Sequence, residues 1–310
     1  MGTFSRRCDV FRKLIPLAVM IVLVLGCKKK TTDTGSDGGT GGGEPAPSGT
    51  AYTIKVREPQ RGDKLLVTET MKDTSTITIA GKADPKTEQE SWEYTETILD
   101  MPVGAHKPTK ATREYKTAKS NDGAGVMRDL SFAGKTLLIE QKGNQYAFTV
   151  DGRALPDADS RQLTREFRKV AKSNKSELQY FLPKGAVKLN EPWALDRETM
   201  AQWASEDDVT PDLDASSVTG KLTKVYSKDG KQWGTMEFSL KLVVKSLGAD
   251  APPLSGSMTG VFVVDCPIDG SSPASRESMK MTGDLKGTIP QGPITIKGGE
   301  DHSRTVTVAK

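Results

Sequence analysis

Histidine and cysteine are scarce: the 310 residues contain His106, His302, Cys8, Cys27 and Cys266 and no others of either type. One histidine sits in the Pro102 to Pro108 loop and the other in a Gly-Gly-Glu-Asp-His tail, a pattern that argues against a histidine-built metal centre and places both in solvent. Basic residues do not cluster outside Lys28-Lys29-Lys30, and 44 Lys+Arg against 40 Asp+Glu leaves little net charge, so a nucleic-acid interface is not expected. Catalytic signatures are missing too. In Gly256-Ser257-Met258-Thr259-Gly260 the serine stands one place too early for a nucleophile elbow. Glu206, Asp207, Asp208, Asp212 and Asp214 lack the alternation and glycine of a calcium loop and read as solvated. The run GGTGGG has neither a preceding strand nor a following helix, so it is no dinucleotide fingerprint. No cofactor, no metal and no enzymatic activity are expected.

No apolar run reaches the ~20 residues that span a bilayer as a helix; the longest, Leu14 to Leu25, is shorter. It follows Arg6, Arg7, Arg12 and Lys13 and ends in Val24-Leu25-Gly26-Cys27. This arrangement resembles the signal peptide of bacterial lipoproteins, with a basic n-region, an apolar h-region and a lipobox. The resemblance implies cleavage between Gly26 and Cys27, a diacylglyceryl group on the Cys27 thiol and acylation of the freed amine. Two or more chains at ~0.8 kcal/mol per buried methylene hold a protein stably at a membrane. Lysine after the cysteine implies delivery to the outer membrane, facing the periplasm, in a cell with two membranes. Removal of the leader takes Cys8 with it and leaves 40 basic against 39 acidic groups. Cys266 then has no partner in the chain and is expected as a small buried hydrophobe at a strand end.

Residues 1–26 are therefore read as leader and 27–50 as the lipidated terminus and tether. The stretch from Thr31 to Thr50 is glycine-rich with almost nothing apolar to bury, and as a flexible coil it reaches about 25 Å. Residues 51–310 form a β-rich domain, divisible near 190–215.

From Tyr52 the apolar period is two. Tyr52, Ile54 and Val56, then Leu65, Val67 and Met71, alternate with polar residues; Ser75 to Ala80 and the Trp92, Tyr94, Ile98 series continue the pattern. Leu137 to Gln141 and Gln145 to Val150 flank a glycine-containing turn. Met236, Phe238, Leu240, Leu242 and Val244 make the cleanest alternation, and Asp229-Gly230 before them suits a type I′ hairpin. Met258 to Asp265 and Met279 to Ile289 predict further strands, and Ser303 to Val308 an edge strand. Short connections make the sheet antiparallel.

One helix is capped by Asp159 or Ser160, with Leu163, Phe167, Val170 and Ala171 on one stripe and a continuation through Leu178, Phe181 and Leu182 until Pro183. Arg197 to Ala204, with Met200 and Trp203, predicts a second. The run from Phe181 to Trp193, with Pro183, Val187, a polar turn and Trp193, resembles a recurrent segment of uncharacterised bacterial lipoproteins. The expected fold is mainly β: a large antiparallel, curved or half-barrel sheet with one or two packed helices, analogous to lipoprotein carriers.

Met236, Phe238, Leu240, Met258, Phe262, Met279 and Met281 are the candidate face for an apolar ligand, because methionine suits adaptable apolar surfaces. The leading functional expectation is a non-enzymatic envelope protein binding an apolar ligand or envelope component. A structural subunit recognising other envelope proteins is the alternative, and a hydrolase without a recognisable motif the third. Replacing Cys27 by serine is expected to abolish palmitate incorporation and release the chain from the membrane fraction; unaltered labelling and fractionation would refute the anchor.

Overall fold

The computed structural model describes residues 49–121, 125–167, 175–206, 209–247 and 252–309. The leader, Cys27, nearly all of the tether, Val170, Ala171, Asp207 and Asp208 lie outside the described residues. A short β1 (Ala51–Tyr52) precedes a first meander of β2 (Lys64–Ile79), β3 (Lys82–Asp100) and β4 (Lys110–Asn121). Then come β5 (Arg128–Asp129), β6 (Thr136–Lys142), β7 (Gln145–Val150) and β8 (Arg153–Ala154). Helices α1 (Asp157–Glu166) and α2 (Glu177–Phe181) lead to β9 (Val187–Lys188), β10 (Pro192–Ala194), α3 (Arg197–Glu206) and β11 (Val209–Pro211). A second meander completes the chain: β12 (Ser217–Lys228), β13 (Lys231–Leu247), β14 (Leu254–Pro267), β15 (Ser275–Ile289) and β16 (Gly292–Val308).

The two meanders form one antiparallel sheet of 14 strands, in the order β10-β12-β13-β14-β15-β16-β2-β3-β4-β6-β7-β8, with β11 beside β13 and β5 beside β4. It is an open sheet, mainly β as the alternation predicts. Its edges, β10 and β8, are only a few residues long, which limits unpaired backbone. β10, α3 and β11, from the 190–215 region, belong to this same assembly. The Asp229-Gly230 turn adopts φ of 52° and 72°, as its type I′ reading requires.

The expected edge strand at Ser303 to Val308 is instead part of β16, which starts at Gly292 and lies inside the sheet between β15 and β2. Its first half escapes the period-two signal because Gly298 and Gly299 interrupt it. Both glycines answer to crowding: a Cβ at Gly298 would meet the Thr74 carbonyl oxygen at 2.8 Å, and one at Gly299 the Met281 carbonyl oxygen at 2.9 Å. The helix expected to resume before Pro183 does so as a separate element. α1 ends at Glu166, and Ser176 starts α2 afresh, its backbone N–H donating to Gln179 Oε1 at 3.2 Å in a capping-box contact.

One face of the sheet, here called inner, carries two apolar clusters. Over the second meander, α2, α3 and the strap of residues 51–63 cover side chains from β12 to β16. Over the first, Leu130, Phe132 and the Leu163–Phe167 side of α1 cover Leu65, Val67, Tyr94, Leu137 and their neighbours. Arg113 on β4 holds the second arrangement together. Only 1% exposed, it donates from Nε to Glu96 Oε1 at 2.7 Å and through both terminal nitrogens to Glu166 at the end of α1, with its guanidinium 4.4 Å from the Tyr94 ring centre. Such bidentate geometry is specific to arginine.

Arg113→Ala leaves the Glu96 carboxylate buried without its partner and is expected to cost about 3–5 kcal/mol. The drop in urea midpoint at unchanged m-value measures it, and Glu166→Gln, at the more exposed end of the triad, costs less.

Candidate functional site

Strand register brings the seven candidate residues onto one floor. Met236, Phe238 and Leu240 come from β13, Met258 and Phe262 from β14, Met279 and Met281 from β15, and Phe238, Phe262 and Met279 stand opposite one another in a row. All are buried. The Phe238 and Phe262 rings stack at 5.7 Å, and Gly260 and Gly283 stand opposite Met281 and Met258. A Cβ at Gly283 would come 3.3 Å from Met258 Cγ, so glycine gives the thioether chain its room.

What covers the floor was not foreseen as part of the site. Phe181 of α2 lies 5.6 Å and Trp193 of β10 5.9 Å from the Phe238 ring, and Tyr52 packs into the same cluster from the strap. Polar contacts tie the cover together and fasten it to the edge strand β10 of the sheet. Trp193 Nε1 donates to the Phe181 carbonyl at 2.8 Å, Trp203 Nε1 of α3 to Glu177 Oε1 of α2 at 3.0 Å, and Tyr180 OH to Glu206 Oε1 at 3.2 Å. The Ser176 hydroxyl donates to Glu58 of the strap at 2.5 Å. Toward the floor the cover presents Phe181, Met200 and Trp203, apolar side chains on apolar side chains.

Between the two clusters the inner face turns polar along the β16–β2 pair. Arg304 stands opposite Glu69 and His302 opposite Met71, with Glu300 opposite Asp73 one step further. His302 Nε2 lies 2.9 Å from Glu69 Oε1, and Arg304 Nε 3.7 Å from Glu69 Oε2. This corrects the solvated reading of His302: its side chain is 17% exposed on a central strand. Burial alone would favour a neutral Glu69, but the hydrogen bond and charge of His302, with Arg304 and Arg113 behind, hold its pKa down at about 2. Burial works against the His302 cation, and the Glu69 carboxylate outweighs it, so the imidazole pKa is raised. Glu58 is raised by burial despite its Ser176 bond, with the Glu277 carboxylate adding to the effect.

The structure places the described residues of the remaining motifs as follows. Cys266 is buried at the end of β14, and burial with nearby Glu277 and Asp265 pushes its thiol up to about 12, far from a thiolate at neutral pH. Ser257 lies inside β14. Of the acidic run, Glu206 accepts from Tyr180, Asp212 pairs with Lys245 at 3.4 Å and Asp214 with Arg197 at 2.7 Å. Half-buried His106 stays in its loop. Among the described residues, no group of three or more His, Cys, Asp or Glu side chains is placed to hold a metal ion, and no helix is long and apolar enough to cross a membrane.

No family model matches the sequence, and no curated protein matches it. Among solved structures the chain is similar to a lipovitellin structure concerned with its lipid–protein interactions, at 9% identity and a TM-score of 0.30. That likeness covers 81% of this chain and 26% of the lipovitellin chain, so this chain spans about a quarter of that protein. A DUF1329 family protein from Desulfovibrio piger is similar at 10% identity and a TM-score of 0.16, over 80% of this chain and 86% of that one. At such scores neither likeness carries weight for function.

The Glu69–His302 pair sets a pH window. Glu69, lowered in the fold from 4.5, contributes stability that is present above pH 4.5 and lost as pH falls toward about 2. His302, raised from 6.5, contributes stability that is full below pH 6.5 and lost as pH rises through its folded value. The melting temperature is therefore expected to peak between these limits. His302→Gln should flatten the alkaline fall, and an unchanged alkaline slope in the variant would count against the pair.

Proposed function

We propose that this chain is a non-enzymatic, lipid-anchored envelope protein whose sheet holds an apolar ligand between the β13–β15 floor and the α2–α3 cover. The observation that carries the reading is the junction between floor and cover. Over the methionine-rich floor the cover bears through apolar side chains, and its chain is fastened to the sheet at the margins, by β10 on β12, β11 on β13 and the Lys55 N–H to the Ile268 carbonyl. Methionine side chains adapt to a new neighbour at low cost and apolar contacts have no direction to break, so α2 and α3 can shift over the floor between these marginal attachments. Floor and cover side chains would then enclose an acyl chain or similar apolar body.

The Cys27 anchor and the tether complement this role. The tether enters the strap at Ala51, and the strap is itself part of the cover, joined to β9 through the Ala51–Lys188 and Tyr52–Val187 pairs. A ligand drawn from a bilayer would meet the cover close to where the chain is held.

Chloroform–methanol extraction of the chain purified from membranes, followed by mass spectrometry, is expected to recover a bound lipid beyond the acyl groups on Cys27. N-phenyl-1-naphthylamine should gain fluorescence on binding the delipidated chain and be displaced by a fatty acid. Trp193→Phe removes the bond to the Phe181 carbonyl, worth about 1 kcal/mol, and should speed uptake of the dye. No recovered lipid and no saturable dye signal together would overturn the proposal.

A further inference from the structure

On the outer face, Ser278 of β15, Ser303 of β16, Thr70 of β2 and Ser91 of β3 stand opposite one another across four adjacent strands. Thr70 Oγ1 and Ser303 Oγ are 2.8 Å apart. All four residues line a cavity of about 350 Å³, with Gln89 and Met127 also on its wall. Lys72 and Asp301, opposite each other in the next row, border it, and Lys280 Nζ holds Asp301 Oδ1 at 3.0 Å. Met71, Glu90 and His302, at the intervening positions, complete the lining.

Each hydroxyl both donates and accepts, so the row keeps hydrogen-bonding capacity beyond the Thr70–Ser303 contact. Neighbouring strands are about 4.8 Å apart, a span comparable to that between alternate hydroxyls of a pyranose ring. The hydroxyl row carries no charge, and at its border Asp301 is held by Lys280 and stands opposite Lys72, so the site is built for a neutral ligand. An acyl chain would desolvate the hydroxyls without replacing their bonds. A neutral polyhydroxylated ring satisfies the row, offers partners to the Gln89 amide and can rest its C–H face on Met127. The volume lies near the lower end of the range for small-molecule sites.

We propose that this cavity binds a neutral sugar through the Ser278–Ser303–Thr70–Ser91 row, a second site independent of the apolar floor. The ring could be a free monosaccharide or the terminal residue of a glycan, since both present the same hydroxyls. The test uses the isotopically labelled full chain titrated with glucose, with N-acetylglucosamine and with an N-acetylglucosamine oligomer. Saturable amide shifts are expected at residues 70–72, 89–91 and 301–303. Thr70→Val and Ser303→Ala should each weaken binding about fivefold, while Thr259→Val, on a different outer row, leaves it unchanged. Tighter binding of the oligomer points to a glycan end and equal binding to a free sugar. No saturable shift with any of the three, shifts that map elsewhere, or folded variants that bind as the parent chain does would each overturn the proposal. Should a variant fail to fold, the shift map of the parent chain decides alone.

Discussion

The pairing of β2 with β16 is the interaction on which the rest of the structure depends. It joins Leu65–Ile79 to Ile294–Val308, near the two ends of the described chain, and without it each meander would expose a long unpaired edge. Contacts of such sequence separation carry a large loop-closure cost and form late in folding. The two apolar clusters are the compensation, since each is buried on a sheet that exists as a unit only once this seam has closed.

The seam also explains where charge sits. Leu65, Val67 and Val306 at one end of the pair join one cluster, and Ile294 and Ile296 at the other end join the second. Glu69, His302 and Arg304 occupy the stretch between, where neither cover reaches fully. The Glu69 carboxylate is tolerated there because His302 and Arg304 meet it across the strand pair; an isolated carboxylate in the same position would be neutral or destabilising. The inner face is thus divided into a methionine and phenylalanine floor under α2, α3 and the strap and an aromatic floor pinned by Arg113. The second is locked by directional bonds to Glu96 and Glu166, for which the facing side chains of the methionine floor have no counterpart among the described residues.

Much of the fold was legible in the residues. The alternation from Met236 to Val244, the Asp229-Gly230 turn and the Leu163–Phe167 pair each reflect a local rule in which backbone geometry sets the side-chain period. The methionine floor was legible for the same reason. His302 was misread because two glycines and two acids precede it, a local signature of a loop, and its strand conformation is imposed by β15 on one side and by β2, more than two hundred positions away, on the other. Arg113 gave no signal at all: in sequence it is one base among charged and polar residues, and its burial depends on Glu96 and Glu166 arriving from a neighbouring strand and a helix.

By itself, then, the sequence determined many of the strands and turns, though not β4 or the first half of β16, and with them the antiparallel sense, the faces that side chains share and the leader-like run ending at Cys27. These follow from interactions within a few residues. Tertiary structure alone decided that the C-terminal strand is interior, that Phe181 and Trp193 close over Phe238, and that Glu69 finds His302. The reason is that apolar burial and ion pairing depend on distance in space, and no local period encodes which distant segment will supply the partner.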